Sequence, residues 1–293
     1  MRITEAINLN NVLLSESRAS QQLATLTQQA SSGLRVSQPS DDPAAYASIV
    51  QRNAGIAGVK ARQTAATTAG ADLDLAGSIL DQATTLIQKA QAVAVEQASA
   101  TQTPASRSNA ADEIDALNQQ LLALANSQGS GGSYLFGGTK TNTPPFDSQG
   151  NFLGNDGTSH VEVATGVLAA SNASGAQAFT AAGGRNVFAD LQALSAALNS
   201  NSPTGIQATI SNLNASQQQV IAAQVDTNER ADRLHSATTA MDSVLTQMQV
   251  ALAPVQDADA ATTLSNLAST QDAYQTAIQV NKQILSLSLA RSG

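Results

Sequence analysis

The sequence predicts a mainly α fold with a β-rich insertion, and three observations carry that prediction. Both ends show apolar residues at alternating spacings of three and four, the stretches inside them are long and periodic, and the middle changes abruptly to Gly, Asn, Ser and Thr. The expected architecture is a pair of long coiled-coil-like terminal helices packed into a helical rod, with a small outer β domain. In residue ranges, 1–40 is an N-terminal assembly helix, 41–126 the first part of the rod and 127–186 the insertion. Residues 187–254 return as the second part of the rod, and 255–293 form the C-terminal assembly helix.

The first helix, Ile3 to Ser32, places Leu9, Val12, Glu16, Ala19, Leu23, Leu26 and Ala30 on one seam. Ala44 to Gln102 reads as a second, proline-free helix with Gly55, Gly58, Gly70 and Gly77 as candidate breaks, ended by Pro104. Ser108 to Ala125 follows, burying Ile114, Leu117, Leu121 and Leu124. Within the insertion, Tyr134 to Phe136, Val161 to Val163 and Gln177 to Thr180 are strand candidates between turn residues. Val187 to Leu198 is helical. Ser202-Pro203 then reads as an N-cap with proline in the first turn, opening a helix that runs to Pro254. The last seam takes Leu264, Leu267, Gln271, Tyr274, Ile278, Asn281 and Leu285. Seams of this kind, with about two apolar positions in seven, hardly offset backbone ordering at about 1 to 2 kcal/mol per residue, so the termini are expected to order fully only on assembly. The interrupting Glu16, Gln271 and Asn281 would set register.

Composition narrows the function. Hydrophobic residues make up 42%, aromatics only 3% and charged residues 12%, against about a quarter charged in ordinary domains. The rest is small and neutral polar, which suits faces that pack against other copies. A formal charge of −8 without clustered Lys and Arg argues against a nucleic-acid partner. No run of about 18 apolar residues proposes a membrane span, and the N-terminus lacks the apolar core of a cleaved signal peptide. Zero Cys removes disulfides and thiolate chemistry.

Candidate sites read as punctuation. In SGLRVSQPSDDPAAYA, from Ser32 to Ala47, Asp42 before Pro43 has the chemistry of a helix N-cap, with Asp41 and Ser40 as alternative caps. No His or third carboxylate lies nearby to complete a metal or acid/base site. Asp147, Asn151, Asn155 and Asp156 lie among glycines but do not follow calcium-loop order, and so read as β-turns. His160 and His235 lack metal-ligand spacing to each other. No nucleophile elbow or phosphate loop occurs, so the expectation is no enzyme, no metal and no cofactor.

Three stretches carry a resemblance. SGLRVSQPSDDPAAYA, with Gly33, Asp41, Asp42, Pro43 and Ala44, is similar to the N-terminal signature of the bacterial flagellin superfamily. YLFGGTKTNTPPF, with Tyr134, Phe136, Gly137, Pro145 and Phe146, resembles the segment opening the β domain of its hook-associated protein 3 branch, the hook-filament junction proteins. AYQTAIQVNKQILSLSL, Ala273 to Leu289, resembles the closing helix. The resemblance implies an extracellular structural adaptor of the flagellum, exported by the type III channel without signal-peptide cleavage. It implies contacts with neighbouring copies, with the first hook-associated protein on the hook side and with flagellin on the filament side, and an export chaperone. A short flagellin, or a secreted helical binding module, is the alternative reading.

Overall fold

In the computed structural model the chain is described over residues 2–180 and 184–292, with side chains over 10–180, 184–283 and at Ser286. The elements run α1 (Arg2–Ser32), α2 (Pro43–Gln97), α3 (Pro104–Ala125), β1 (His160–Ala164), β2 (Val167–Ala170), α4 (Gly175–Phe179), α5 (Val187–Asn199), α6 (Pro203–Gln256) and α7 (Ala260–Ser292). The fold is thus mostly helical with a small β insertion. Two compact units emerge, one of Met1–Ala57 with Val244–Gly293 and one of Gly58–Ser243, and both boundaries fall inside α2 and α6.

The second unit holds the core. Along α2, Ala66, Ala69, Leu73, Ala76, Leu80, Ala83, Ile87, Ala90 and Ala94 are all buried, an unbroken alternation of three and four. One of the two seam positions is alanine throughout, and so small a side chain admits a close neighbour. On α6, Ile206, Leu213, Val220, Thr227, Leu234 and Met241 are buried at a strict seven-residue repeat. The glycines of α2 do not break it. A Cβ on Gly70 would stand 3.3 Å from the His235 ring, and one on Gly77 would stand 2.3 Å from Asn228 Oδ1. Each is a notch that seats an α6 side chain, which offsets the cost of glycine inside a helix.

Caps and prolines revise several boundaries. Thr103 accepts the Ser106 N–H at 3.1 Å and Pro104 takes the first helical position, so Pro104 opens α3 and α2 ends earlier, at Gln97. Pro254 sits within the last turn of α6, where losing one N–H does not stop the helix before Gln256. The Ser202 hydroxyl caps α6 through Gly205 N–H at 3.1 Å, as the sequence predicts.

The insertion is organised by aromatics more than by strands. All five phenylalanines of the chain form one network: Phe179 meets Phe136, Phe146 and Phe188, and Phe146 meets Phe152 and Phe188, with centroids 5.2 to 5.7 Å apart. The sheet is a single antiparallel hairpin, β1 with β2, pairing His160 with Ala170 and Glu162 with Leu168, with a bulge between Glu162 and Ala164. Val161 to Val163 therefore is a strand, as expected. Gln177 to Thr180 is not: the Ser174 hydroxyl accepts the Gln177 N–H and starts the short helix α4, while Gly175 lies so close to the Phe136 carbonyl that a Cβ would stand 2.3 Å from it. Tyr134 to Phe136 is likewise not a strand. Tyr134 makes one bridge to Gln128, and the chain then turns through Gly137 and Gly138, the latter at φ +69°.

Two buried polar groups tie loops to helices. Arg107 donates to the Gln97 carbonyl at 3.0 Å, to the Ser99 carbonyl at 2.8 Å and to the Asn201 side chain, so a 4% exposed guanidinium is satisfied by the ends of α2 and α5. Asp190 pairs with Arg185 and accepts from Ser216 at 2.6 Å, joining α5 to α6. No helix among the described residues is long and apolar enough to cross a membrane.

Candidate assembly surface

The first unit is built from helix ends and from the pair α1 and α7. Gly33, at φ +71°, closes α1 as its N–H reaches the Gln29 carbonyl at 2.9 Å, the left-handed C-terminal cap that glycine allows. Residues after it cross to the connection between α6 and α7. Arg35 and Val36 N–H both donate to the Gln256 carbonyl, and the Ala258 N–H returns a bond of 2.9 Å to Gly33. The Arg35 guanidinium binds the Val255 carbonyl at 2.8 Å and lies 3.4 Å from Asp42.

Asp42 Oδ1 accepts the Ala45 N–H at 3.0 Å, so it caps α2 with Pro43 in the first turn, as read from the sequence. Asp41 is a different device. Its Oδ2 accepts from the N–H groups of Ser37 and Gln38 at 2.9 and 3.1 Å, which folds the turn leading to the cap. Asp259 does for α7 what Asp42 does for α2, accepting the Thr262 N–H at 2.7 Å. The bond from Ala45 N–H holds the Asp42 carboxyl below its usual range, Thr262 N–H does the same for Asp259, and Ser37 N–H for Asp41.

Helices α1 and α7 pack antiparallel. On α1 the half-buried residues are Val12, Glu16, Ala19, Leu23, Leu26 and Gln29, which follow the sequence-read seam except at its end, where Gln29 replaces Ala30. Gln29 turns inward because its amide binds the Arg35 carbonyl at 3.2 Å. On α7 the covered residues are Thr263, Leu267, Thr270, Tyr274, Ala277, Ile278 and Asn281. The structure differs from the sequence reading at Leu264, which is 57% exposed, and at Gln271, also exposed. Their places are taken by Thr263 and Thr270. An alternation of three and four can be drawn through either of two adjacent residues, and hydrophobicity favours Leu264, whereas the packing of α7 against α1 turns Thr263 inward. The side chains of Leu9 and Leu285 lie outside the described residues.

Glu16 and Asn281 face each other: the Asn281 amide donates to Glu16 Oε2 at 2.7 Å. Close by in sequence, Leu13, Leu14 and Val280 are 50%, 51% and 45% exposed. In this unit Val50 and Val250 are also more than half exposed.

The insertion motif belongs to the second unit. Asn126 clamps the Phe146 backbone through two bonds of 3.0 Å, Pro145 accepts the Leu153 N–H at 2.8 Å, and the Gly137 carbonyl takes the Asn155 N–H. Asp147 accepts from Gln149 and Asn151 N–H and from the Asn151 amide, the last being the chief reason its carboxyl is held low. Those oxygens are spent on a turn. His160 is exposed, and His235 lies 3.0 Å from Asp74. Among the described residues no three His, Asp or Glu side chains gather as a metal site.

Comparison with known proteins agrees with this geometry. Residues 3–141 match the family described as the bacterial flagellin N-terminal helical region. The flagellar hook-associated protein 3 of Escherichia coli is 38% identical over 128 residues, which is 43% of this chain and 40% of that protein. The alignment thus spans well under half the length of that relative. Among solved structures, a protein of Vibrio parahaemolyticus described as flagellar hook-associated superposes with a TM-score of 0.68 at 22% identity, covering 74% of this chain and all of the other. The flagellar junction protein FlgL of Legionella pneumophila gives 0.56 at 17% identity, covering 71% and 99%. Residues 3–141 of the chain are thus similar to the flagellin N-terminal helical region, and the chain shares the fold of flagellar hook-associated protein structures.

Proposed function

We propose that this protein is a non-enzymatic structural adaptor at the hook-filament junction of a bacterial flagellum, assembling through α1 and α7. The observation that carries the reading is the incomplete burial of that pair. Apart from Thr263 and Asn281, its facing side chains are only half covered, and Leu13, Leu14, Leu264 and Val280 project from it. Burying an apolar side chain contributes about 1.5 to 3 kcal/mol, and further copies would supply that cover. Neighbours of related helical character would sit on either side, the first hook-associated protein toward the hook and flagellin toward the filament. Export through the type III channel without a cleaved signal, with a chaperone holding the C-terminal helix, accords with a chain free of Cys and poor in aromatics.

A short flagellin is the second reading, favoured by the family match over residues 3–141. Immunogold electron microscopy separates the two, using antibody against the exposed β1–β2 tip, where Val167 and Leu168 are 52% and 64% exposed. A single band where hook meets filament is the expected result. Label along the whole filament would make the protein a flagellin, and no label on intact flagella would return a secreted binding module to the front.

A further inference from the structure

The contact between Glu16 and Asn281 is chemically expensive. Asn281 is 9% exposed, its Nδ2 donates to Glu16 Oε2 at 2.7 Å, and its Oδ1 is buried with no hydrogen-bond partner. The amide presents its NH2 to the Glu16 oxygen, and on its other side the amide oxygen meets no donor. Two leucines at these positions would avoid that cost. A pair kept at such expense needs a return other than stability.

We infer that Glu16 and Asn281 form a register lock, which selects one antiparallel alignment of α1 with α7 and rejects alignments slipped by a heptad. At one end of the pair the bonds of Arg35 and Val36 N–H to Gln256 and of Ala258 N–H to Gly33 already favour this alignment, and along the helices themselves the rest of the seam discriminates poorly. Its other members are Val12, Ala19, Leu23, Leu26 and Gln29 on one side and Thr263, Leu267, Thr270, Tyr274, Ala277 and Ile278 on the other, and the apolar and small residues that make up most of it can be exchanged one heptad along. Slipping one way brings Asn281 opposite Leu23; slipping the other brings Glu16 opposite Tyr274. In either case the buried Asn281 amide loses Glu16 and is left without a partner, a penalty that disfavours the slipped alignment by about tenfold or more. The inference rests on the observed helix pairing and not on the junction role. The same lock acts whether α1 meets α7 of its own chain or of another copy.

The absence of native Cys allows a direct test on the full-length chain. An in-register trap, Ala19→Cys with Ala277→Cys, is compared with a slipped trap, Ala19→Cys with Thr270→Cys, during mild oxidation. Each is made with Glu16 and Asn281 intact and with Glu16→Leu plus Asn281→Leu, and circular dichroism checks that helix content is kept. With the polar pair intact, the in-register disulfide should exceed the slipped one by at least about tenfold, the factor expected from one unpaired buried polar group. In the leucine background that excess should fall by about tenfold, the backbone bonds between Gly33–Val36 and Gln256–Ala258 still favouring the in-register pair. An unchanged excess in that background would overturn the lock. Equal yields with the polar pair intact would overturn the alignment itself. Neither result bears on where the protein sits in a flagellum, which the microscopy decides separately.

Discussion

Two regions of this chain solve the burial problem differently. Between Gly58 and Ser243, long apolar and alanine seams are fully covered, five phenylalanines cluster, and the buried Arg107 and Asp190 are hydrogen-bonded. In the pair of α1 and α7, the same three-and-four alternation buries its residues only by half and leaves leucines in solvent. Periodicity is therefore not what separates a fully covered core from a half-covered helix pair. The difference lies in how many elements cover each seam. The core seams have helices and the insertion around them, whereas the terminal pair has one partner helix per seam, which leaves much of its apolar surface in solvent.

The largest effect should come from charging the half-covered seam. Leu267→Asp or Ile278→Asp should abolish polymer assembly, read by sedimentation, while thermal unfolding of the Gly58–Ser243 unit stays near wild type. Normal assembly of either variant would erase the contrast drawn above. Phe179→Ala should do the opposite, destabilising the finished core by about 3 to 5 kcal/mol in denaturant titration, as truncation of a fully buried aromatic does. Arg107→Met keeps the bulk but orphans the carbonyls of Gln97 and Ser99, and should cost about 2 to 4 kcal/mol in the same measurement.

The smallest effect concerns the caps, and it sharpens the comparison because these exposed acids belong to the first unit. The Ala45 and Thr262 N–H groups hold the Asp42 and Asp259 carboxyls below the usual carboxylate range in the folded chain. Their contribution is therefore complete above the unfolded value and is lost as pH falls through the folded one. Melting of the first unit should soften as pH drops below about 4. Asp42→Asn with Asp259→Asn keeps cap hydrogen bonds without the titration, and should flatten that part of the profile. An unchanged profile would mean the caps are not coupled to its stability.

Legibility in the sequence varied with how local the cause was. Asp42 before Pro43 was readable as a cap because the donor, the acceptor and the proline lie within three residues of one another. Val12, Glu16, Ala19, Leu23 and Leu26 were readable because a helix repeats its face at fixed intervals. The alanine seam of α2 went unnoticed, since Ala69, Ala76, Ala83 and Ala90 look like filler until α6 and the insertion are seen to cover that face. Glycines 70 and 77 looked like breaks for the same reason, because nothing nearby in sequence shows that His235 and Asn228 fill the notches. Gln177 to Thr180 was misread as strand because the Ser174 cap and the tight fit of Gly175 against Phe136 depend on a contact nearly forty residues away.

What the sequence by itself determined is the set of decisions made within a few residues: where most helices run, that Asp42 caps one of them, and that a glycine-rich middle segment interrupts the helical chain. What only the tertiary structure decided is which periodic face is covered, and by what. Leu264 and Thr263 are equally good seam positions by spacing, and only the packing of α7 against α1 chose threonine. Glu16 and Asn281 likewise read only as register-setting interruptions, one in each terminal seam, with nothing to say that they meet. Their meeting across the antiparallel pair is a fact about alignment, and alignment is a long-range property, because its energy comes from side chains brought together by the fold.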